Sequence, residues 1–295
     1  MIDKVAALIP AYNEEYCLPL CLLSIVPFVH EIVVLDDCST DGTEGFLADL
    51  KREIVLYPPP HFERKTRIYR TEKQVGWVEV RNRLLRMTEC RWVIFIDADD
   101  VLHEKAGPLL ERAIREMQEP ICMIPLTELW GDLRHTTGRL HRFDRCHNVI
   151  DRARVGDVRW IQEEQGWDGH LDVRVRTVME PGDGWGKLGI WPCFFHLKGV
   201  KPDRRIVERH YMRGWLKSKQ RKGISDWIEM SPERIHEEAL SILIGNSGND
   251  LIPIEKVAGM PELPIILKEQ EAQRLMMVYR DGKPVDRIDR EEMVR

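Results

Sequence analysis

Seven cysteines are scattered over 295 residues with no Cys-x-x-Cys pair. That spacing argues against a zinc site and against a disulfide framework, and the thiols read as small core residues in a reducing, cytoplasmic setting. No apolar run reaches the roughly 20 residues that a membrane-spanning helix needs. Nor does a glycine-rich loop follow the first apolar run, where residues 10–15 read PAYNEE. A dinucleotide-binding turn and the phosphate loop of a sugar nucleotidylyltransferase both want glycines at that place. The formal net charge is only -5, so the whole molecule is not a generic binder of polyanions. The opening stretch MIDKVAALIPAYNEE is too short and too acidic for a signal peptide and reads as a strand. There is no internal repeat and no low-complexity segment.

What is present is a rhythm of apolar runs and amphipathic segments. Val5 to Ile9, Ile32 to Leu35 and Trp92 to Ile96 read as buried strands, and Arg67 to Arg70 as a weaker one. Helical spacing follows through Phe46, Leu47 and Leu50, through Val80, Leu84 and Met87, and over 106–117. Asn13-Glu14-Glu15 is placed to open a helix after the first strand. Alternation of this kind predicts a mostly parallel sheet with helices on both faces. Beyond residue 121 the rhythm changes. Ile121 to Leu126 and Arg139 to Phe143 read as strands, 205–222 as a basic helix, Pro232 to Ile244 as a helix, and Met276 to Val285 as a hairpin.

Each strong strand ends in acids. PAYNEE follows the first, DDCSTDGT (36–43) the second and DADD (97–100) the third. In parallel sheets ligands bind at the carboxyl ends of strands, so these carboxylates converge on one crevice. Like charges so close repel, and a hard divalent cation with phosphate oxygens is a natural partner for them. An Asp-x-Asp pair suits that task, because alternate residues of an extended segment point the same way. Helix capping is an equal reading for Ser39 and Asp41, but a cap needs one acid and DADD offers three.

The stretches ALIPAYNEE, VVLDDCSTDGT, GWVEVRNRLL and VIFIDADDVL come in the order and spacing of family 2 glycosyltransferases. The chain resembles that family closely over about 4–102 and loosely beyond. The resemblance implies a GT-A type α/β fold, with a mostly parallel central sheet and a smaller C-terminal α+β extension. It places a transferase domain at 1–225 and a helix-and-hairpin extension at 226–295. It implies transfer of a sugar, with inversion, from a nucleotide diphosphate donor, commonly a UDP-sugar, with Mn2+ or Mg2+ as cofactor.

By position, the resemblance implies that Pro10, Ala11, Tyr12 and Glu14 line the nucleoside pocket and that Asp37 accepts a hydrogen bond from the base. Gly76 and Arg81 match a family stretch near the donor phosphates, with Val78 and Val80 replacing its small alanine as helix packing. Asp97, with Ala98 beside it, would approach the ribose. Asp99 would bind the metal, with Asp100 a further member. His196, in FFHLKG, resembles a later metal ligand of the family. Asp99→Asn is therefore expected to abolish metal-dependent donor binding while leaving the fold intact. The catalytic base is sought in RWIQEEQGWDGHLD (159–172), where Glu164 is preferred over Glu163 and Asp168, and Asp172 also competes. Trp160 and Trp167 either stack on an acceptor or pack beneath that loop.

From Lys198 to Lys222 ten Lys or Arg face two acids, a local balance of +8. Three readings fit: a segment closing over the donor diphosphate through Lys201, Arg204 or Arg205, a surface for an acidic acceptor, or a solvated helix face. The acceptor itself is left open among glycan, protein, small molecule and modified nucleic acid. A nucleotide-sugar binding module without turnover is the reading from another class.

Overall fold

The computed structural model describes residues 4–56, 66–116, 120–130, 132–137, 146–155, 159–162, 169–171, 177–178, 194–201, 203–218, 230–247, 251–256, 263–268, 279–280 and 283–284. The first half contains β1 (Val5–Ala11), α1 (Leu18–Ile25), β2 (Glu31–Asp36), α2 (Thr43–Leu56), β3 (Thr66–Arg70), α3 (Trp77–Arg86), β4 (Trp92–Phe95), β5 (Asp100–Leu102) and α4 (Gly107–Glu116). Then come β6 (Ile121–Trp130), β7 (Asp132–Thr137), β8 (Cys146–Asp151), α5 (Arg152–Val155), β9 (Trp160–Gln162), β10 (Gly169–Leu171) and β11 (Thr177–Val178). The last stretch holds β12 (Phe194–Gly199), α6 (Asp203–Ser218), α7 (Pro232–Ser247), β13 (Leu251–Pro253), α8 (Ile265–Lys268), β14 (Tyr279–Arg280) and β15 (Lys283–Pro284).

The expected α/β architecture is found. Four strands run parallel in the order β3-β2-β1-β4, with Ala11 beside Asp36 and Leu8 beside Phe95. β8 adds antiparallel to β4, β6 antiparallel to β8, and β7 and β13 continue that edge antiparallel. The chain steps outward from β1 through β2 to β3, then returns to the other side of β1 as β4. Right-handed crossovers then put the first two helices on one face and the third on the other. The core shows this directly. Ala7 and Ile9 pack with Leu18 and Leu22 of α1 and Leu47 of α2, whereas Ala6 and Leu8 pack with Val80, Leu84 and Leu85 of α3. The reversal makes the space beyond β1 and β4 the topological switch point of the sheet.

Several boundaries differ from expectation. α1 starts at Leu18, where Pro19 sits in the first turn, so Asn13-Glu14-Glu15 forms a turn before the helix. Of the DADD acids, Asp97 and Asp99 follow the end of β4 as expected, and only the last departs. Asp100 opens a second strand, β5, which pairs with β12 and sets His196 opposite Asp100. The strand expected at 139–143 lies outside the described residues. α7 shares a small core with α6 and β6, built from Trp130, Ile206, Val207, Ala239 and Leu243. The Trp130 indole N–H donates to the Leu243 carbonyl at 3.0 Å. The tail hairpin is present as β14 against β15, with Tyr279 opposite Pro284. Among the described residues no helix is long and apolar enough to cross a membrane.

Candidate active site at the switch point

The chain leaves β1 through Asn13, whose φ of 53° lies in the left-handed region. Asn is among the few side chains that tolerate this conformation, and here its amide holds it. The Asn13 carbonyl oxygen accepts from the Thr40 N–H at 2.7 Å, its Nδ2 donates to Glu208 at 2.9 Å, and its backbone N–H donates to the Ser39 hydroxyl at 2.8 Å. The turn aims the buried Glu14 carboxylate into the crevice. Tyr12 is half-buried, and the Arg205 guanidinium lies 5.6 Å from its ring centroid.

β2 ends in a similar way, with Cys38 at φ 63°. Asp36 turns back and accepts from the Ser39 N–H and hydroxyl, with Arg70 at 3.2 Å. Burial raises its carboxyl above the ordinary value despite Ser39 and Arg70. Asp37 accepts from the Val75 N–H at 2.8 Å, the Gly76 N–H at 2.9 Å and the Thr71 hydroxyl at 3.2 Å. It thereby fixes the entry to α3, where Gly76 has a φ of 92° that a side chain would strain.

α3 presents Arg81, which is buried to 4% exposure, to Asp97 at the end of β4. Its guanidinium lies among aromatic rings, 4.1 Å from the Trp77 centroid, 4.8 Å from Trp160 and 5.2 Å from Phe95. Burial lowers its pKa, and Asp97 opposes that shift. Trp160 is buried, with edge contacts to Trp77 of α3 and Phe95 of β4, so it packs in the core and is not free to stack on an acceptor. Asn82, next to Arg81, grips the backbone of Trp160 at both ends of its amide: the Trp160 N–H donates at 2.7 Å, and Nδ2 donates to its carbonyl at 3.0 Å.

Asp99, Asp100 and His196 are all buried, and their ligand atoms lie within 4.8 Å of one another. Two hard carboxylates and an imidazole form a donor set suited to a divalent cation such as Mn2+. His196 Nδ1 is 2.7 Å from Asp100 Oδ1 and 3.6 Å from Asp99 Oδ1. The other Asp100 oxygen accepts from the Asp97 N–H at 3.2 Å.

Asp99 also has two cations of the chain's own beside it. Lys201 Nζ and Arg209 Nη1 each lie 2.7 Å from Asp99 Oδ2. Lys201, at 1% exposure, also reaches both Glu14 oxygens, at 2.5 and 2.7 Å. Arg205 donates to the Tyr12 carbonyl at 2.6 Å and to Glu208 at 2.7 Å. Glu14, Asp97, Asp99 and Glu208 thus face Arg81, Lys201, Arg205 and Arg209 in one cluster, buried at Glu14, Arg81, Asp99 and Lys201 and reached by solvent at Asp97 and Arg209. Burial works to raise the Asp99 carboxyl, but His196, Lys201 and Arg209 outweigh it and hold it well below the usual range. Burial works to lower the Arg209 guanidinium, and Asp99 with Glu14 raises it instead.

The structure therefore brings together Pro10, Tyr12, Glu14, Asp37, Gly76, Arg81, Asp97, Asp99 and His196 at one end of the parallel strands. Ala11 and Ala98 are there as well, but their methyl groups belong to the core. Glu163, Glu164 and Asp168 lie outside the described residues, between β9 and β10, which pair with Gln162 opposite Gly169. Arg204 is exposed. Arg209, Glu208 and Asn82 were not singled out in the sequence. Residues 205, 208 and 209 share one helical face, which was the available signal.

A family model described as glycosyl transferase family 2 matches residues 6–152. TuaG of Bacillus subtilis (strain 168), named as a teichuronic acid biosynthesis glycosyltransferase, is 26% identical over 42% of this chain and 45% of its own length. The poly(ribitol-phosphate) beta-glucosyltransferase of Bacillus spizizenii is 29% identical over 46% of this chain and 20% of its own. The chain thus spans less than half the length of these curated relatives. The crystal structure of S. aureus TarS 1-349 in complex with UDP-GlcNAc superposes over 81% of this chain and 70% of that one, at 16% identity and a TM-score of 0.47. The family match spans β1 to β8, the strands whose ends carry the acids, and over residues 6–152 this chain belongs to glycosyl transferase family 2.

Proposed function

We propose that this chain is an inverting, metal-dependent glycosyltransferase that moves a sugar from a nucleotide diphosphate donor, first of all a UDP-sugar, to an acceptor. The observation that carries this reading is the meeting of Glu14, Arg81–Asp97 and Asp99–Asp100–His196 at the switch point of a family 2 domain. Tyr12 and Asp37 flank the place for the base, and Asp97 that for the ribose. Asp99, Asp100 and His196 would hold Mn2+ or Mg2+, which when bound offsets charge on the diphosphate leaving group. Arg81 and the inward cations of α6 add fixed positive charge beside the same leaving group. Glu164, or else Glu163 or Asp168, would take the proton of the attacking acceptor hydroxyl.

Lys201, Arg205 and Arg209 turn inward onto acids, which supports the donor-side reading of the basic segment over an outward nucleic-acid surface. The transferase unit is proposed to run over 1–225, with 226–295 an extension whose α7 braces α6. The test is release of nucleotide from a panel of UDP-, GDP-, dTDP- and CMP-sugars, with Mn2+ or with EDTA. Release from one donor that EDTA abolishes is the expected result. Nucleotide binding with no release or transfer for any donor and acceptor tried would favour a binding module and overturn the enzyme reading.

A further inference from the structure

We propose that Lys201 and Arg209 are built-in counter-ions of Asp99 that exclude a divalent cation until a nucleoside diphosphate arrives, so that metal and donor bind as a unit. This rests on the donor-binding reading above and adds an order to it. One carboxylate oxygen, Asp99 Oδ2, carries both cations at 2.7 Å, while Asp99 Oδ1 faces His196 at 3.6 Å. Stability alone does not call for the crowding, because Lys201 already has both oxygens of Glu14.

A divalent ion entering alone meets two positive groups at close range, in a site where burial leaves little water to screen them. A diphosphate changes the balance. It gives the ammonium and guanidinium new anionic acceptors, and both can then leave Oδ2 to the metal. Arg209 and Arg205 stand on the face of α6 that also carries Glu208. Three further contacts tie that face to the β1 exit, through Tyr12, Asn13 and Glu14. The exchange is therefore coupled to how α6 sits over the crevice.

The test is Mn2+ binding to the whole chain, read by the electron paramagnetic resonance of free Mn2+, with and without UDP, alongside calorimetric titration of UDP. Wild type is expected to bind Mn2+ at least about tenfold more tightly with UDP present, and UDP more tightly by the same factor with Mn2+ present. Arg209→Gln and Lys201→Met are each expected to bind Mn2+ alone about tenfold more tightly than wild type, with a smaller effect of UDP. Arg209 is partly exposed, at 26% of its side chain, so its variant keeps the test open if loss of the buried Lys201 prevents folding. Equal Mn2+ affinity with and without UDP, or variants that bind Mn2+ alone no better than wild type, would overturn the proposal. UDP, GDP, dTDP and CMP all failing to bind with Mn2+ present would overturn the donor reading itself, and the counter-ion proposal with it.

Discussion

Replacing Arg81 by Met and Asp97 by Ala should destabilise the protein by unequal amounts, because the two halves of this ion pair differ in burial. The Arg81 side chain is 5% exposed and the Asp97 side chain 37%. Arg81→Met leaves a carboxylate that water reaches, and removes the ion pair with its contacts to Trp77, Trp160 and Phe95. Cation–π contacts and a partly exposed ion pair contribute little individually, so the expected loss is about 1–2 kcal/mol. Asp97→Ala instead leaves a guanidinium enclosed by three aromatic rings without its direct partner. Stripping a buried charge of its partner costs about 3–5 kcal/mol, and the nearby Asp99 and Asp100 should hold the loss to about 3 kcal/mol. The double variant removes both charges and should be more stable than Asp97→Ala alone. Urea denaturation at unchanged m-value reads all three differences. A loss for Arg81→Met equal to or larger than that for Asp97→Ala, or strict additivity in the double variant, would refute the argument.

Asp99→Asn should abolish metal-dependent nucleotide binding, and the ion pairs to Lys201 and Arg209 add a stability loss of about 1–3 kcal/mol that the motif alone did not foretell. Turnover at the wild-type rate in that variant would sink the ligand assignment. Asn82→Ala leaves the buried Trp160 N–H without an acceptor and should cost about 1–3 kcal/mol, measurable as a lower urea midpoint. The Arg91 guanidinium holds the Asp151 carboxyl below its usual range through bonds of 2.9 and 2.8 Å. With Asp99 also depressed, the stabilisation from both is complete above the unfolded value of about 3.9 and disappears as pH falls through the folded values. Asp151→Asn should therefore flatten the acid limb of stability against pH from about 5 downward, and a curve parallel to wild type would contradict the pairing.

The sequence alone determined the parallel core and its acidic rim. Val5–Ala11, Glu31–Asp36 and Trp92–Phe95 were legible because buried parallel strands read as continuous apolar runs, and the acids follow directly in the chain. Local order also fixed α3 and its Gly76 entry, where a short stretch carries both the turn and the helical face. Only the tertiary structure decided how the acids are neutralised. Lys201 and Arg209 lie about a hundred residues from Asp99 in the chain, and a basic segment of +8 looks the same whether its charges face water or a carboxylate. Trp160 posed the same problem, since a Trp in a polar loop shows no periodicity to reveal the ring it packs against. The pairing of β5 with β12 set His196 opposite Asp100, because strand register is fixed by hydrogen bonds between distant segments and not by either segment alone.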